Sequence, residues 1–252
     1  MNAHEKKEVF DFTYDSYRVF LRKLKDKGVV QLFKNWKGER SFLLRHDVDF
    51  DVYLAHKLAS LEMEENIQST YFVLTSCHSY NVLSIENRNL LRDICSMGHE
   101  IGLHFDPSIY DSDLSTPFKR ETDLLSFVVG QTVQSVSLHN PSIHGQYPMF
   151  DGFVNAYDPQ MFSDANYISD SRFSFRGKDI YDFISNIRDS MIQIVFHPMH
   201  FSSSGKGYDK ITFDVFTRYM NEIHANFLAN SAYKEQVGED YMANLRIKLA
   251  NN

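Results

Sequence analysis

Acids and histidines in this chain fall in a pattern able to do chemistry. They occur as Arg45-His46-Asp47-Val48-Asp49, His104-Phe105-Asp106, His139-Asn140-Pro141, Asp170-Ser171-Arg172 and His197-Pro198-Met199-His200. Each group follows a short apolar run. Asp and His together suit a divalent cation such as Zn²⁺, which takes few protein ligands at a catalytic site and keeps a position open for water. On extended backbone, residues two apart point the same way, so in Asp47-Val48-Asp49 one carboxylate can hold a cation while the other accepts a proton. Such a cation lowers the pKa of water from ~15.7 to roughly 7. Without it, two neighbouring carboxylates repel and one tends to stay protonated. Each residue also has a plainer reading. Asp47 and Asp49 suit helix capping, and a single His at a strand end suits a structural hydrogen bond. Convergence of all five groups on one rim explains the pattern better than separate coincidences.

Bringing those groups together requires strands that end on the same side. Tyr14–Lys27 has apolar residues at helical spacing (Tyr17, Phe20, Leu21, Leu24) and stops at Gly28. Helical patterns recur at Val52–Asn66, Ile85–Met97, Pro117–Val129 and Ile180–Ile187, and through most of Phe213–Leu249. Between them lie strand-like runs at Ser41–Arg45, Ser69–Leu74, Glu100–His104, Val133–Leu138, Tyr167–Ser169 and Ile192–Phe196. Alternation at this spacing indicates an α/β fold with parallel strands, open or closed into a barrel. In such folds functional side chains gather at the C-terminal strand ends. No Gly-rich phosphate loop follows a strand, which removes support for nucleotide binding.

The chain has 252 residues, 43% hydrophobic and 23% charged, with a net charge of −7. That acidity disfavours nucleic acid as a partner, and the cluster Arg22, Lys23, Lys25 and Lys27 reads as a solvated helix face. Cys77 and Cys95 cannot form a disulfide framework. No apolar leader is visible at Met1–Phe10 and no stretch has the length of a membrane span. A cytoplasmic protein without membrane insertion is expected, built as one domain with a core at about 41–200 and helical additions at 10–36 and 211–250.

The runs LLRHDVDF, STYFVL, GHEIGLHFD, SLHNPS and IVFHP, spread over Phe42 to His200, resemble the polysaccharide deacetylase (NodB-homology) family. The resemblance is closest to its WbmS-like branch, found with lipopolysaccharide O-antigen synthesis. It implies a distorted or incomplete (β/α) barrel and metal-dependent removal of N- or O-acyl groups from sugars. By that resemblance Asp47 matches the catalytic base, Asp49 the metal-binding aspartate and His104 the first metal histidine. His197 matches the general acid, and Asp170, with Arg172 nearby, the later supporting aspartate. The chain departs from the family at Ser108, where a second metal histidine usually stands, and at His139-Asn140-Pro141, which replaces an arginine-proline motif. The third ligand is then His139, favoured as a neighbour of His104, or Asp106. The other role open to His139 is orienting Asp47 in place of the missing arginine.

His46 and His99 are expected to be structural, while His200 is expected in a loop lining the cleft. Phe105, Tyr147, Phe150, Phe173 and Phe201 stand in or near the strand-end loops, as candidate stacking faces for sugar rings. The expected substrate is an acylated sugar, a nucleotide-sugar or a lipid-linked oligosaccharide. The rival readings are a silent sugar-binding protein of the same fold, a hydrolase of non-sugar amides, and a scaffold using the C-terminal helices as an interface.

Overall fold

The computed structural model describes residues 9–186, 191–205 and 207–250. Most of Met1–Phe10 and the last residue of the helix expected at Ile180–Ile187 lie outside the described residues. The chain divides into two compact units, Met1–Gly205 and Lys206–Asn252.

The first unit is organised by one sheet. Its strands are β1 (Val30–Gln31), β2 (Phe42–Val48), β3 (Thr70–Val73), β4 (Glu100–Phe105), β5 (Ser135–Leu138), β6 (Val154–Asn155), β7 (Tyr167–Ser169) and β8 (Ile192–Phe196). They lie side by side in the order β6-β5-β4-β3-β2-β8-β7, every pair parallel. β1 pairs with the start of β2, at Phe42 and Leu43, while β3 pairs from Arg45 onward. The outer strands β6 and β7 do not pair with each other, so the ring stays open as an incomplete (β/α) barrel. Parallel pairing puts every C-terminal strand end on one rim.

Helices α1 (Tyr14–Lys27), α2 (Val52–Glu64), α3 (Ile85–Ser96), α4 (Ser115–Val129), α5 (Pro141–His144) and α6 (Ile180–Ser185) belong to this unit. α1 buries Tyr17, Phe20, Leu21 and Leu24, the stripe expected from spacing. Asp51, extended and accepting from the Leu54 N–H at 2.7 Å, caps α2. The cap is therefore neither Asp47 nor Asp49. The period of two along β2 sorts its side chains. Leu44 and Val48 join the core beneath the helices, whereas Leu43 packs with Phe33 and Phe72 on the other face, which also carries Arg45 and Asp47. Gly102 of β4 is required by close approach, because a Cβ there would meet the Phe72 ring at 2.5 Å and Ser135 Oγ at 2.6 Å.

The second unit holds α7 (Tyr208–Phe227), α8 (Ser231–Val237) and α9 (Tyr241–Ala250). Within it His224 links α7 to the following helices, through Tyr233 OH at 2.9 Å and the Glu239 carbonyl at 3.2 Å. Among the described residues no helix is long and apolar enough to cross a membrane.

Candidate metal centre

The strand ends bring Asp47, Asp49, His104, His139, Asp170 and His197 into one cluster. Asp49 directly follows β2 and His104 lies on β4. The His139 N–H donates to the Phe105 carbonyl at 2.8 Å, which seats His139 at the end of β5. Asp49 Oδ1 is 3.2 Å from His104 Nε2 and 3.6 Å from His139 Nδ1, and the two imidazole nitrogens are 3.3 Å apart.

These separations suit a cation. Ligands held tetrahedrally at ~2.0–2.2 Å from Zn²⁺ lie about 3.3–3.6 Å from one another. Asp49 Oδ1 is buried without a hydrogen-bond partner, as are Asp47 Oδ1 and His104 Nδ1. Two ring nitrogens facing each other need a proton between them, whereas a cation takes both lone pairs. Burial on its own would raise the Asp49 carboxyl, but the imidazoles of His104, His139 and His197 outweigh it and hold the group well below the usual carboxylate range. An ionised oxygen facing two imidazoles is the donor set expected of a borderline metal.

Asp106 stands apart from this cluster. Its Oδ1 accepts from the Ser108 N–H at 2.9 Å and the Ser108 hydroxyl at 2.6 Å, capping a short turn at Pro107–Ile109. Of the two candidates for a third ligand, His139 is the one whose ring nitrogen lies beside Asp49 and His104.

Asp47 flanks the cluster, with Oδ2 4.0 Å from His104 Nε2. The same oxygen accepts from Arg45 Nη2 at 2.9 Å. Arg45 is wholly buried and also donates to Gln193 Oε1 at 2.7 Å and to Tyr157 OH at 3.1 Å. Burial works against its charge, but Asp47 and the hydroxyl of Tyr157 outweigh that and push its pKa above the ordinary value. Arg45 thus makes the contact with Asp47 that was the alternative reading of His139. Arg172, by contrast, is exposed.

On the other flank His197 Nε2 is 3.7 Å from Asp49 Oδ2, and its Nδ1 meets Asp170 Oδ1 at 2.5 Å. Asp170 Oδ2 accepts the His197 backbone N–H at 3.1 Å and faces His200 Nδ1 at 2.8 Å. Burial would lower His197, but the Asp170 charge outweighs it and raises the pKa to about 9. Asp170 is brought down to about 2, because the two histidines overcome the effect of burial. Separations of 2.5 and 2.8 Å are shorter than the ~3.3–3.6 Å between ligands around Zn²⁺ and leave room for a proton between the partners, not a cation.

His46 and His99 point to the opposite side of the sheet. His46 Nε2 is 2.7 Å from Glu62 Oε1, and His99 Nδ1 accepts the Ser69 N–H at 3.1 Å. The aromatic expectation needs correcting. Phe105, Phe150 and Phe201 are buried in the core and offer no ring face to a sugar, and Phe173 packs against the core. Tyr147 is the exposed member of that set, at 41%. Arg45, Gln193 and Tyr157 were not anticipated. The signal for Arg45 was its place two residues before Asp47, on the same strand face.

No family model matches the chain, and no curated protein is similar to it. Several solved structures are similar at low identity. A CE4 family pseudoenzyme from Bacillus anthracis is 14% identical over 71% of this chain, with a TM-score of 0.42; the chain spans 62% of that protein's length. The CE4 domain of a multidomain xylanase from the hindgut metagenome of Trinervitermes trinervoides is 15% identical, over 73% of this chain and 84% of that one, TM-score 0.46. A peptidoglycan deacetylase from Bacillus subtilis is 16% identical, over 81% and 98%, TM-score 0.42.

Proposed function

We propose that the protein is a metal-dependent hydrolase that removes an acyl group, acetyl in the simplest case, from the nitrogen or oxygen of a sugar. The observation that carries this reading is the Asp49, His104 and His139 triangle, with edges of 3.2, 3.3 and 3.6 Å, flanked by a carboxylate and by an imidazole.

Asp49, His104 and His139 would hold the cation, with Zn²⁺ the best match to the donor set. When bound, the cation supplies Lewis-acid polarisation of the acyl carbonyl and makes water acidic enough to attack near neutral pH. The protein's own groups then divide the proton work. Asp47, held by Arg45, takes the proton of the attacking water through Oδ1, its oxygen without a hydrogen-bond partner. His197, held by Asp170, delivers a proton to the departing amine or alcohol from Nε2, the ring nitrogen facing Asp49. A base and an acid on opposite flanks of one centre suit collapse of a tetrahedral intermediate.

The motif resemblance supports a finer reading: a cytoplasmic enzyme acting on a nucleotide-linked or lipid-linked sugar in bacterial surface-polysaccharide (O-antigen) synthesis. The test combines elemental analysis with turnover of a panel of acylated sugars and cyclic amides. Wild-type protein should carry about one cation per chain and release acyl groups from sugars. Asp47→Asn should keep the cation and lose about 10²–10⁴-fold in kcat, while His104→Ala should lose both. Near-native turnover by Asp47→Asn removes the assigned base. Ligand-dependent thermal stabilisation of metal-free protein with no turnover overturns the reading in favour of a silent binder.

A further inference from the structure

We propose that His200 is a positioning residue for the proton-delivering assembly, holding Asp170 so that its other oxygen keeps His197 aimed at the site. This rests on the hydrolase reading above and adds a residue to it. Asp170 is wholly buried, and each of its oxygens meets an imidazole nitrogen, His197 Nδ1 at 2.5 Å on Oδ1 and His200 Nδ1 at 2.8 Å on Oδ2. Oδ2 also accepts the His197 backbone N–H at 3.1 Å, so His200 adds the shorter, side-chain contact at that oxygen, and it comes from outside the His197 residue. With His200 in place the carboxylate plane is fixed by a ring anchored independently of His197, and the His197 ring inherits that fixity.

The surroundings of His200 show how firmly it is placed. It is 1% exposed and stands edge-on to two phenylalanine rings, Phe12 at 6.0 Å and 89° and Phe173 at 5.0 Å and 90°. Those two rings stack on each other at 4.8 Å and 16°. Phe12 and Phe173 both have left-handed backbone, φ 59° and 53°, which bulky L residues rarely adopt. The Phe173 N–H donates to the Asp170 carbonyl at 2.7 Å, so the strained turn belongs to the same assembly. Strain of this kind persists where the surroundings over-determine a geometry, and it clusters at functional sites. Two strained aromatic residues on one buried histidine are more than packing requires.

The experiment compares His200→Phe, which keeps a ring in the slot but has no N–H, with His200→Asn, whose amide N–H sits near the place of Nδ1. Proton–nitrogen spectra of the metal-free full chain read the His197 Nδ1–H directly. In His200→Phe that resonance should broaden away through exchange with water, and in His200→Asn it should persist. With metal loaded, His200→Phe should lower kcat about tenfold, part of the ~10²–10⁴-fold a general acid provides, with KM and metal content unchanged. His200→Asn should recover most of the loss. A wild-type-like resonance with kcat within twofold in His200→Phe overturns the proposal, as does His200→Asn being equally impaired. If His200→Phe does not fold, His200→Leu, which also lacks a donor, takes its place under the same criteria. If wild-type protein turns over no acylated sugar, the hydrolase reading falls while the spectra still judge the role of His200.

Discussion

Arg45 and Asp47 are two residues apart on β2, so both side chains leave the same face of the strand and meet there as a buried ion pair. A guanidinium with no exposed surface is tolerated because Asp47, Gln193 and Tyr157 take its protons at 2.7–3.1 Å. Gln193 is itself anchored, donating to the Ala156 and Met161 carbonyls at 2.9 Å each. Removing the arginine strands a buried carboxylate. Arg45→Met should therefore cost about 3–5 kcal/mol of stability, read as a lower urea midpoint. Turnover should fall while the metal content is unchanged, since none of the three ligands touches Arg45. An unaltered midpoint would mean that the pair contributes nothing to the fold. This residue was legible in principle, as the strand alternation that pairs Asp47 with Asp49 also pairs Arg45 with Asp47. It was hidden because a basic residue beside an acidic motif reads as solvated until the strand is known to be buried on both faces.

At the scale of elements, the sheet is tied to its helices by a polar knot behind the site. Glu62 of α2 is wholly buried and accepts from Tyr17 of α1, from Ser69 Oγ at 2.6 Å and from Tyr71 OH at 2.7 Å; its Oε1 also lies 2.7 Å from His46 Nε2. Burial alone would raise its pKa, but His46, His99 and Ser69 outweigh that and bring it to about 2. His99 is lowered as well, by its own burial against the pull of Glu62. Both shifts mean that the unfolded chain binds more protons than the folded one, so stability rises with pH. The Glu62 contribution, on the order of 3 kcal/mol, is complete above its unfolded value near 4.5 and is lost as pH falls toward 2. The His99 contribution fades below about 6.5. Urea midpoints should fall from pH 7 to pH 3, and Glu62→Gln should be less stable at pH 7 with a flatter dependence. A Glu62→Gln variant keeping the full acid slope would assign that slope to other groups. Elements of this size were readable from residue period: β3, β7 and β8 coincide with their apolar runs to within a residue or so. β1 and β6 were not, because two residues carry no period. The rim aromatics were misplaced for a related reason. Phe105 ends β4 facing α4, where it meets Phe118 edge-on at 5.5 Å, and nothing local distinguishes that from facing solvent.

For the molecule as a whole, the three proposed ligands stand at positions 49, 104 and 139, at the ends of β2, β4 and β5. In the unfolded chain they have no common place. A cation that binds them together binds the folded sheet and not the unfolded chain, so its binding free energy becomes folding free energy. At a free metal concentration of 100 Kd the gain is about 2.7 kcal/mol. For a chain of this size that is an upward shift in Tm of roughly 5–10 °C, carried by the unit Met1–Gly205 that contains every ligand. His104→Ala should abolish the shift. Asp106→Asn should leave it intact, because Asp106 is turned toward Ser108. The pair of variants separates the triangle built with His139 from one built with Asp106. Loss of the shift in Asp106→Asn, with His139→Ala unaffected, would move the third ligand to the loop after β4. An open barrel gains more from such a clasp than a closed one. Among the described residues β6 and β7 do not pair across the gap, and a cation held by Asp49, His104 and His139 would tie the ends of β2, β4 and β5 together on that rim.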